Sequence, residues 1–362
     1  MRFLLITRKW PPAVGGMETW SVEVADALRA LGHTVDARAL PGRPGGRAPS
    51  GGSILRFGLV QGASLLVARW REGPPEAVIG GDMAVWPLAW LAGRRSGGTV
   101  VVAAHGTDLA FAWRRGLLGA LYRAWLRLGA RALRDAAILA NSRATAGRAR
   151  ELGFRKATHA PLGVTVATGA PRAEPEPYLL FAGRLIRRKG LSWFVREVLP
   201  ALPEPLRLKV AGPPWDESEG AALDHPRVDA LGPRPQAELH SLMARAVAVV
   251  VPNLPSERHV FEGFGLVAPE AAAAGAVVLA SDLDGLSDAV LDGRTGFLLP
   301  AGDAAAWRAR IAEIAAWSPS TRLAATTEAR DTAQAYFRWS AVAERIVALA
   351  TDPPSADHGD PS

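Results

Sequence analysis

The sequence runs twice through one alternation, in which a short apolar run rich in β-branched residues is followed by a segment with helical spacing. Parallel strands, with crossover helices covering the sheet, satisfy such a pattern. The first series predicts strands at Arg2–Thr7, Thr34–Ala39, Ala77–Gly80, Thr99–Ala104 and Ala136–Asn141. Between the first two, Met17–Leu31 sets Trp20, Val24, Ala27, Leu28 and Leu31 on one helical face and stops at Gly32. The second series predicts strands at Tyr178–Ala182, Leu206–Ala211, Val228–Leu231, Val247–Val251, Val277–Ala280 and Phe297–Leu299. Helical segments follow from about Asp303 to Tyr336 and from Ser340 to Ala350.

Where the two series meet, Ala167–Pro177 reads ATGAPRAEPEP, without periodicity, and is the expected linker. The expected organisation is an N-terminal Rossmann-like domain over 1–170, a linker over 171–177 and a C-terminal Rossmann-like domain over 178–335. A helix over 336–350 is expected to pack back on the first domain, and 351–362 to form a disordered tail. Arg43–Gly52 is expected to be a flexible loop. A length of 362 residues agrees with two domains of about 100–200 residues each. Two doubly wound sheets with facing strand ends would form a central cleft, where such sheets bind ligands.

A composition of 49 % hydrophobic and 21 % charged residues excludes a disordered chain. Cysteine is absent, which excludes a disulfide framework, a thiolate nucleophile and a Cys-ligated metal. The net charge of +7 permits contact with nucleic acid or an anionic membrane without demanding either. No nucleic-acid reader motif accompanies it, so a basic nucleic-acid-binding protein is a remote alternative. No apolar stretch approaches the roughly eighteen residues of a membrane span. Four apolar residues before Arg8-Lys9-Trp10 are too few for a signal peptide. They are read as a buried strand of a cytoplasmic protein, one that can work at the cytoplasmic face of the inner membrane.

Three clusters carry chemistry. Gly15-Gly16, ahead of the first helix, lets an anion approach backbone N–H groups, or is simply a tight turn. Gly183-Arg184 through Lys189-Gly190 follows the first strand of the second series and offers one forked and one point-like cation, suited to a diphosphate. Glu262-Gly263-Phe264-Gly265-Leu266-Val267-Ala268-Pro269-Glu270 is the most specific. The amides of Phe264, Gly265, Leu266 and Val267 at a helix start can hold a phosphate. Glu270 can accept from paired ribose hydroxyls, and Glu262 from hexose hydroxyls.

The order of these pieces resembles the retaining glycosyltransferases of family 4, which have the GT-B fold of two Rossmann-like domains. Matching stretches are Gly15-Gly16-x-Glu18, His105-Gly106-x-Asp108, Asn141-Ser142, Gly163-Val164, Gly183-Arg184 with Lys189-Gly190, Gly212, Glu262 with Glu270, and Asp292-Gly293-x-Thr295-Gly296. They span about Met1 to Pro300. The resemblance implies that Arg184 and Lys189 clamp the donor diphosphate, helped by the amides of Gly16 and Leu266. Glu270 would hold the ribose, Glu262 the donor sugar, and His105 would lie beside the transferred sugar. Gly212 and Leu231 fall on the nucleobase side, and Glu18 and Asp108 on the acceptor side. The donor would be a UDP- or GDP-sugar, with no metal and no further cofactor. Asp284-Gly285-Leu286-Ser287-Asp288 departs from the family's Gly-Gly-Glu pattern, and Asn253–His259 is insertion-like ahead of Glu262. A nucleotide-sugar epimerase of the same layout is the enzymatic alternative.

Other patterns are decoys. Asp282-x-Asp284 lacks His or Glu around it and is not expected to bind metal. Gly263-x-Gly265-x-x-Ala268 is too far from its strand to be a dinucleotide fingerprint. Ser142 is read as a helix N-cap. Finally, Phe111–Arg134 contains six arginines and no acid. Arg123, Arg127, Arg131 and Arg134 fall on one helical stripe, with Leu118, Leu121, Trp125, Leu128 and Ala132 opposite. Those apolar residues are expected to pack on the first sheet, while the arginines, with Trp113 and Tyr122 near them, meet anionic lipid. A lipid-linked or lipopolysaccharide-type acceptor follows from that reading.

Overall fold

Two runs of fully buried β-branched and apolar residues nucleate two separate parallel sheets, as expected for strands covered on both faces. The computed structural model describes residues 1–13, 15–43, 48–70, 73–165, 171–256 and 260–352. One unit comprises Met1–Gly163, Arg258–Gly263 and Trp339–Ser362, and the other Val164–Glu257 and Phe264–Arg338.

The first unit contains β1 (Arg2–Trp10), β2 (Thr34–Pro41), β3 (Ala77–Gly80), β4 (Thr99–Ala104), β5 (Ala137–Ala140) and β6 (Ala157–His159), in the sheet order β2-β1-β3-β4-β5-β6. Every pairing is parallel; Phe3 lies opposite Val35 on one side and Ala77 on the other. The connecting helices are α1 (Gly16–Ala30), α2 (Gly51–Leu66), α3 (Trp86–Ser96), α4 (Gly106–Ala110), α5 (Leu117–Ala132) and α6 (Arg143–Glu151). Leu4, Ile6, Val78, Val102 and Ile138 of the sheet share a core with Leu65, Trp86 and Leu126 of the helices.

The second unit contains β7 (Tyr178–Ala182), β8 (Arg207–Ala211), β9 (Val228–Ala230), β10 (Ala248–Val251), β11 (Val278–Ser281) and β12 (Phe297–Leu299), ordered β12-β11-β10-β7-β8-β9. Its helices are α7 (Leu191–Trp193), α8 (Glu217–Gly220), α9 (Gln236–Arg245), α10 (Val267–Ala273), α11 (Leu286–Ala289), α12 (Ala304–Ala315) and α13 (Pro319–Tyr336). Trp307 of α12 is fully buried among Phe194 and the β-strand side chains. The last helix, α14 (Trp339–Thr351), belongs to the first unit and packs on α1 and β4.

Four features differ from the expectations or add to them. Gly51–Leu66 is a helix, capped by the Ser50 hydroxyl on the Ser53 N–H; its Gly-Gly start and apolar surface hid it from a periodicity reading. The three-residue strand β6 was not anticipated. The helical stretch 303–336 breaks at Ser318, whose hydroxyl caps a new helix with Pro319 in its first turn.

The fourth concerns α5. It turns Gly119, Leu126, Gly129 and Ala130 to the sheet and leaves Leu118, Leu121, Trp125 and Leu128 exposed, the reverse of the expected packing. Small residues admit the Trp86 indole beside Gly129, and that close approach decides which face is buried.

Parts of three expected segments lie outside the described residues: 44–47 of the loop, 166–170 of the linker stretch and 257–259 of the insertion. The same holds for 353–362 of the tail.

Candidate active site

In open parallel sheets the ligand crevice lies at the carboxyl ends of the strands where the order reverses. In the first unit that point falls between β1 and β3. The loops leaving the two strands are tied together there. The Gly81 N–H donates to the Ile6 carbonyl at 2.8 Å, and Arg8 Nε meets the buried Asp82 Oδ1 at 2.8 Å. Gly15 precedes α1 in extended geometry, and Glu18, buried below it, pairs with Lys9 Nζ at 3.4 Å. Glu18 therefore braces the Gly15-Gly16 turn.

His105 follows β4 as the N-cap of α4 and is buried. Its Nε2 lies 3.1 Å from the Gly81 carbonyl, which can only accept, so this nitrogen carries the proton. Burial pushes its pKa down, leaving a neutral imidazole. The Trp20 ring sits edge-on to it at 5.4 Å. Asp108 spends one carboxylate oxygen on the His105 N–H and the other on the Met83 N–H, each at 2.9 Å. Burial pushes the Asp108 carboxyl up to about 7, against those two amides, which favour the anion. Asp108 thus fixes the backbone that presents His105.

Glu262 is delivered to this same unit by a docked segment. Phe261 enters the first core, and the Gly263 carbonyl accepts from Thr145 Oγ1 at 3.3 Å. The Gly263 and Gly106 backbones are in direct contact, and a Cβ on either would overlap the other. His105 and Glu262 are each one residue away from that contact. Asn141 lies beside Gly263, and its buried Oδ1 has no hydrogen-bond partner among the described residues. Ser142 accepts from the Thr145 N–H at 3.1 Å and is the N-cap of α6.

In the second unit the order reverses between β10 and β7. Gly183-Arg184 leaves β7, and the turn Arg187–Lys189 closes at Gly190. The Leu254 N–H donates to the Arg188 carbonyl at 2.9 Å, which binds this loop to the one after β10. Arg184 is exposed, with its guanidinium 4.9 Å from the Trp215 ring centre. At Gly212, φ is +152°, and a Cβ would collide with the Gly183 carbonyl, so β7 and β8 end in a close backbone crossing. Leu231 continues the β8–β9 ladder, its N–H donating to the Val210 carbonyl at 2.9 Å.

The segment Gly265-Leu266 leads into α10, with the Glu270 N–H bonded to the Leu266 carbonyl at 3.0 Å. Phe264 is buried edge-on to Phe337, which anchors the turn. Burial pushes the Glu270 carboxyl up to about 7, and a hydrogen bond from Gln236 holds it lower than burial alone would. Asp282 accepts from Ser287 Oγ at 2.6 Å, and no group of three or more metal-ligating side chains occurs among the described residues.

Sequence reasoning missed Thr145, Trp215 and Gln236, each of which meets its partner only through tertiary contact. Arg123, Arg127 and Arg131 stand on α5 of the first unit.

Comparison with known proteins agrees with this architecture. Residues 14–168 match the family model Glycosyltransferase Family 4, and residues 176–316 match Glycosyl transferases group 1. The chain is 29 % identical over 327 residues to the phosphatidyl-myo-inositol mannosyltransferase of Mycobacterium leprae, covering 81 % of each chain. It is 31 % identical over 189 residues to the D-inositol 3-phosphate glycosyltransferase of Corynebacterium diphtheriae, covering 48 % of this chain and 42 % of that protein. The three D-inositol 3-phosphate glycosyltransferases first in similarity are spanned over only 34–42 % of their length. The structure of HepE from Anabaena in complex with UDP and glucose superposes with a TM-score of 0.69 at 16 % identity, covering 97 % of this chain and 99 % of that one. The fold is GT-B. By the two family models, which together take in most of its residues, the chain belongs to the family 4 glycosyltransferases.

Proposed function

We propose that this chain transfers a hexose from a UDP- or GDP-sugar to a hydroxyl of a glycan or lipid-linked acceptor, with retention, in cell-envelope polysaccharide or lipopolysaccharide synthesis. The observation that carries the proposal is the second unit's crevice, where Arg184, Lys189 and Glu270 stand on loops and a helix at the carboxyl ends of β7 and β10. Two cations suit the diphosphate and the carboxylate suits a ribose diol. UDP in the HepE complex and the lipid in the name of the M. leprae relative support the choice of donor and acceptor.

In this reading the bond from the anomeric carbon to the diphosphate oxygen breaks, and the acceptor oxygen bonds to that carbon on the same face. The acceptor proton passes to the departing phosphate oxygen. Arg184, Lys189 and the amide of Leu266 stabilise the developing dianion. Glu262 orients the sugar hydroxyls, and His105 lines the sugar's path as a neutral imidazole. The site needs no metal. Exhaustive chelation with EDTA is expected to leave turnover unchanged. A loss reversed by Mg²⁺ or Mn²⁺ would assign a role to Asp282 and Asp284 and overturn the metal-free mechanism.

Glu270 makes the reading pH-dependent. Ribose hydroxyls bind the carboxylate better than the neutral acid, because charge-assisted hydrogen bonds are the stronger. With a pKa of about 7, the carboxylate fraction rises through neutrality. Donor KM is therefore expected to fall about fivefold from pH 6 to pH 8. In Glu270→Gln it should be raised and flat with pH. The same burial makes ionisation costly to the folded state, a penalty that grows from the ordinary carboxylate pKa up to about 7 and persists above it. Glu270→Gln should thus raise the thermal midpoint at pH 8 but not at pH 4. Equal affinity for 2′-deoxyribose and ribose donors would remove the ribose assignment.

The deciding experiment is a thermal-shift screen of nucleotide sugars, followed by product analysis with and without acceptor. A donor at 100 times its dissociation constant adds about 2.7 kcal/mol. Conversion of the donor without acceptor would favour an epimerase.

A further inference from the structure

The crossovers from β2 to β3, β3 to β4 and β4 to β5 all run the same way across the first sheet. Right-handed connections therefore lay α2, α3 and α5 on one face, with α6 beyond α5 by the same rule, and α3 touches both α2 and α5. The opposite face is covered by α1 and α14. The outer surface of this three-helix layer is unusual. On α5, Leu117, Leu118, Leu121, Trp125 and Leu128 are exposed by 41–74 %. On α2, Leu55, Leu59, Val60 and Leu66 are exposed by 54–67 %, and Trp90 of α3 is exposed as well. With Val67 at the end of α2, eleven of the sixteen large apolar side chains exposed among the described residues sit here. Apolar exposure gathered on one face marks an interaction surface.

The charge on this layer selects the partner. The three helices carry Arg56, Arg94, Arg95, Arg123, Arg127 and Arg131 and not one Asp or Glu. At the end of α5, Arg127 and Arg131 join Arg134, Arg155 and Lys156 around a depression of about 820 Å³, alongside Asp135 and Glu151. The Trp125 ring packs at a tilt against the buried Trp86, with ring centres 4.9 Å apart, so it is held on the layer. A second copy related by a two-fold axis would set this positive face against itself.

We propose that the α2–α3–α5 layer is a docking face for an anionic lipid bilayer, its apolar side chains entering the headgroup–acyl boundary and its arginines meeting lipid phosphates. An amphipathic face with aromatic and aliphatic residues bordered by arginines has the chemistry of interfacial binding. No helix among the described residues is long and apolar enough to cross a membrane, so the contact is peripheral. This deepens the reading of a lipid-linked acceptor and rests on it for that acceptor alone; the surface itself stands on exposure and charge.

The test is co-sedimentation of the full chain with vesicles of phosphatidylcholine, with and without phosphatidylglycerol, at low and high salt. Binding is expected to the anionic vesicles at low salt. Arg123→Gln, Arg127→Gln and Arg131→Gln together should weaken it by about a hundredfold. Leu118→Gln, Leu121→Gln and Leu128→Gln together should weaken it at least about tenfold. All six positions lie outside the first core, so the thermal midpoint should hold. The chain has no cysteine, so Leu121→Cys in an otherwise native chain carries a single environment-sensitive fluorophore. Its emission should shift to the blue on vesicle binding.

Absence of binding to anionic vesicles at low salt, or binding indifferent to both triple variants, would overturn the proposal. So would a dimer in equilibrium sedimentation that the same variants dissociate, which would give the face to a second copy. Donor-induced thermal stabilisation, measured in parallel on the native chain, separates failure of this surface from failure of the glycosyl-transfer reading.

Discussion

Arg184→Ala and Lys189→Ala are each expected to lower turnover by about two to three orders of magnitude, the cost of losing one preorganised charge contact to a developing oxyanion. Both cations sit on the loop leaving β7, which is bonded to the loop after β10 through Arg188 and Leu254, so the scaffold survives either truncation. Donor affinity should fall with turnover, because the diphosphate is charged in the ground state too. Arg184→Lys should restore little. An ammonium lacks the planar fork, and it cannot lie against the Trp215 ring as the guanidinium does at 4.9 Å. Steady-state kinetics with saturating acceptor is the measurement, and near-native turnover in both alanine variants would remove the diphosphate assignment.

Gly106→Ala is expected to reduce turnover by about a hundredfold, on the scale set by a misplacement of about 1 Å at a reacting centre. A methyl group at Gly106 would overlap the Gly263 backbone. The Phe261–Gly263 segment must then lift from the first unit, carrying Glu262 away from His105 and straining the Thr145–Gly263 hydrogen bond. Gly147→Ala is the control. It lies in α6, where nothing stands within 4 Å of an added Cβ, and it should leave turnover unchanged while stabilising the helix by about 0.5–1 kcal/mol. Kinetics and thermal denaturation of the two variants check this together. A fully active Gly106→Ala would show that the close backbone approach does not position Glu262.

Chain-local chemistry determined much of this protein. The two strand–helix series came from period and β-branched runs, because a buried parallel strand must be apolar on both faces and a crossover helix on one. The cations after β7 and the Glu262–Glu270 segment were readable because their elements are contiguous in the chain.

Other features depended on partners far away in sequence. The contact of Gly106 with Gly263 joins positions 157 residues apart, and neither glycine's neighbourhood hints at the other. Asp108 matched a motif, yet only the fold turns its two oxygens onto the amides of His105 and Met83. On α5 the periodicity was correct and the orientation was reversed. Leucines and small residues both recur at helical spacing there, and the hydrophobic effect alone favours burying the leucines. The buried Trp86 fits against Gly129, not against a leucine, so close packing on the sheet turned the helix and left its apolar stripe outside.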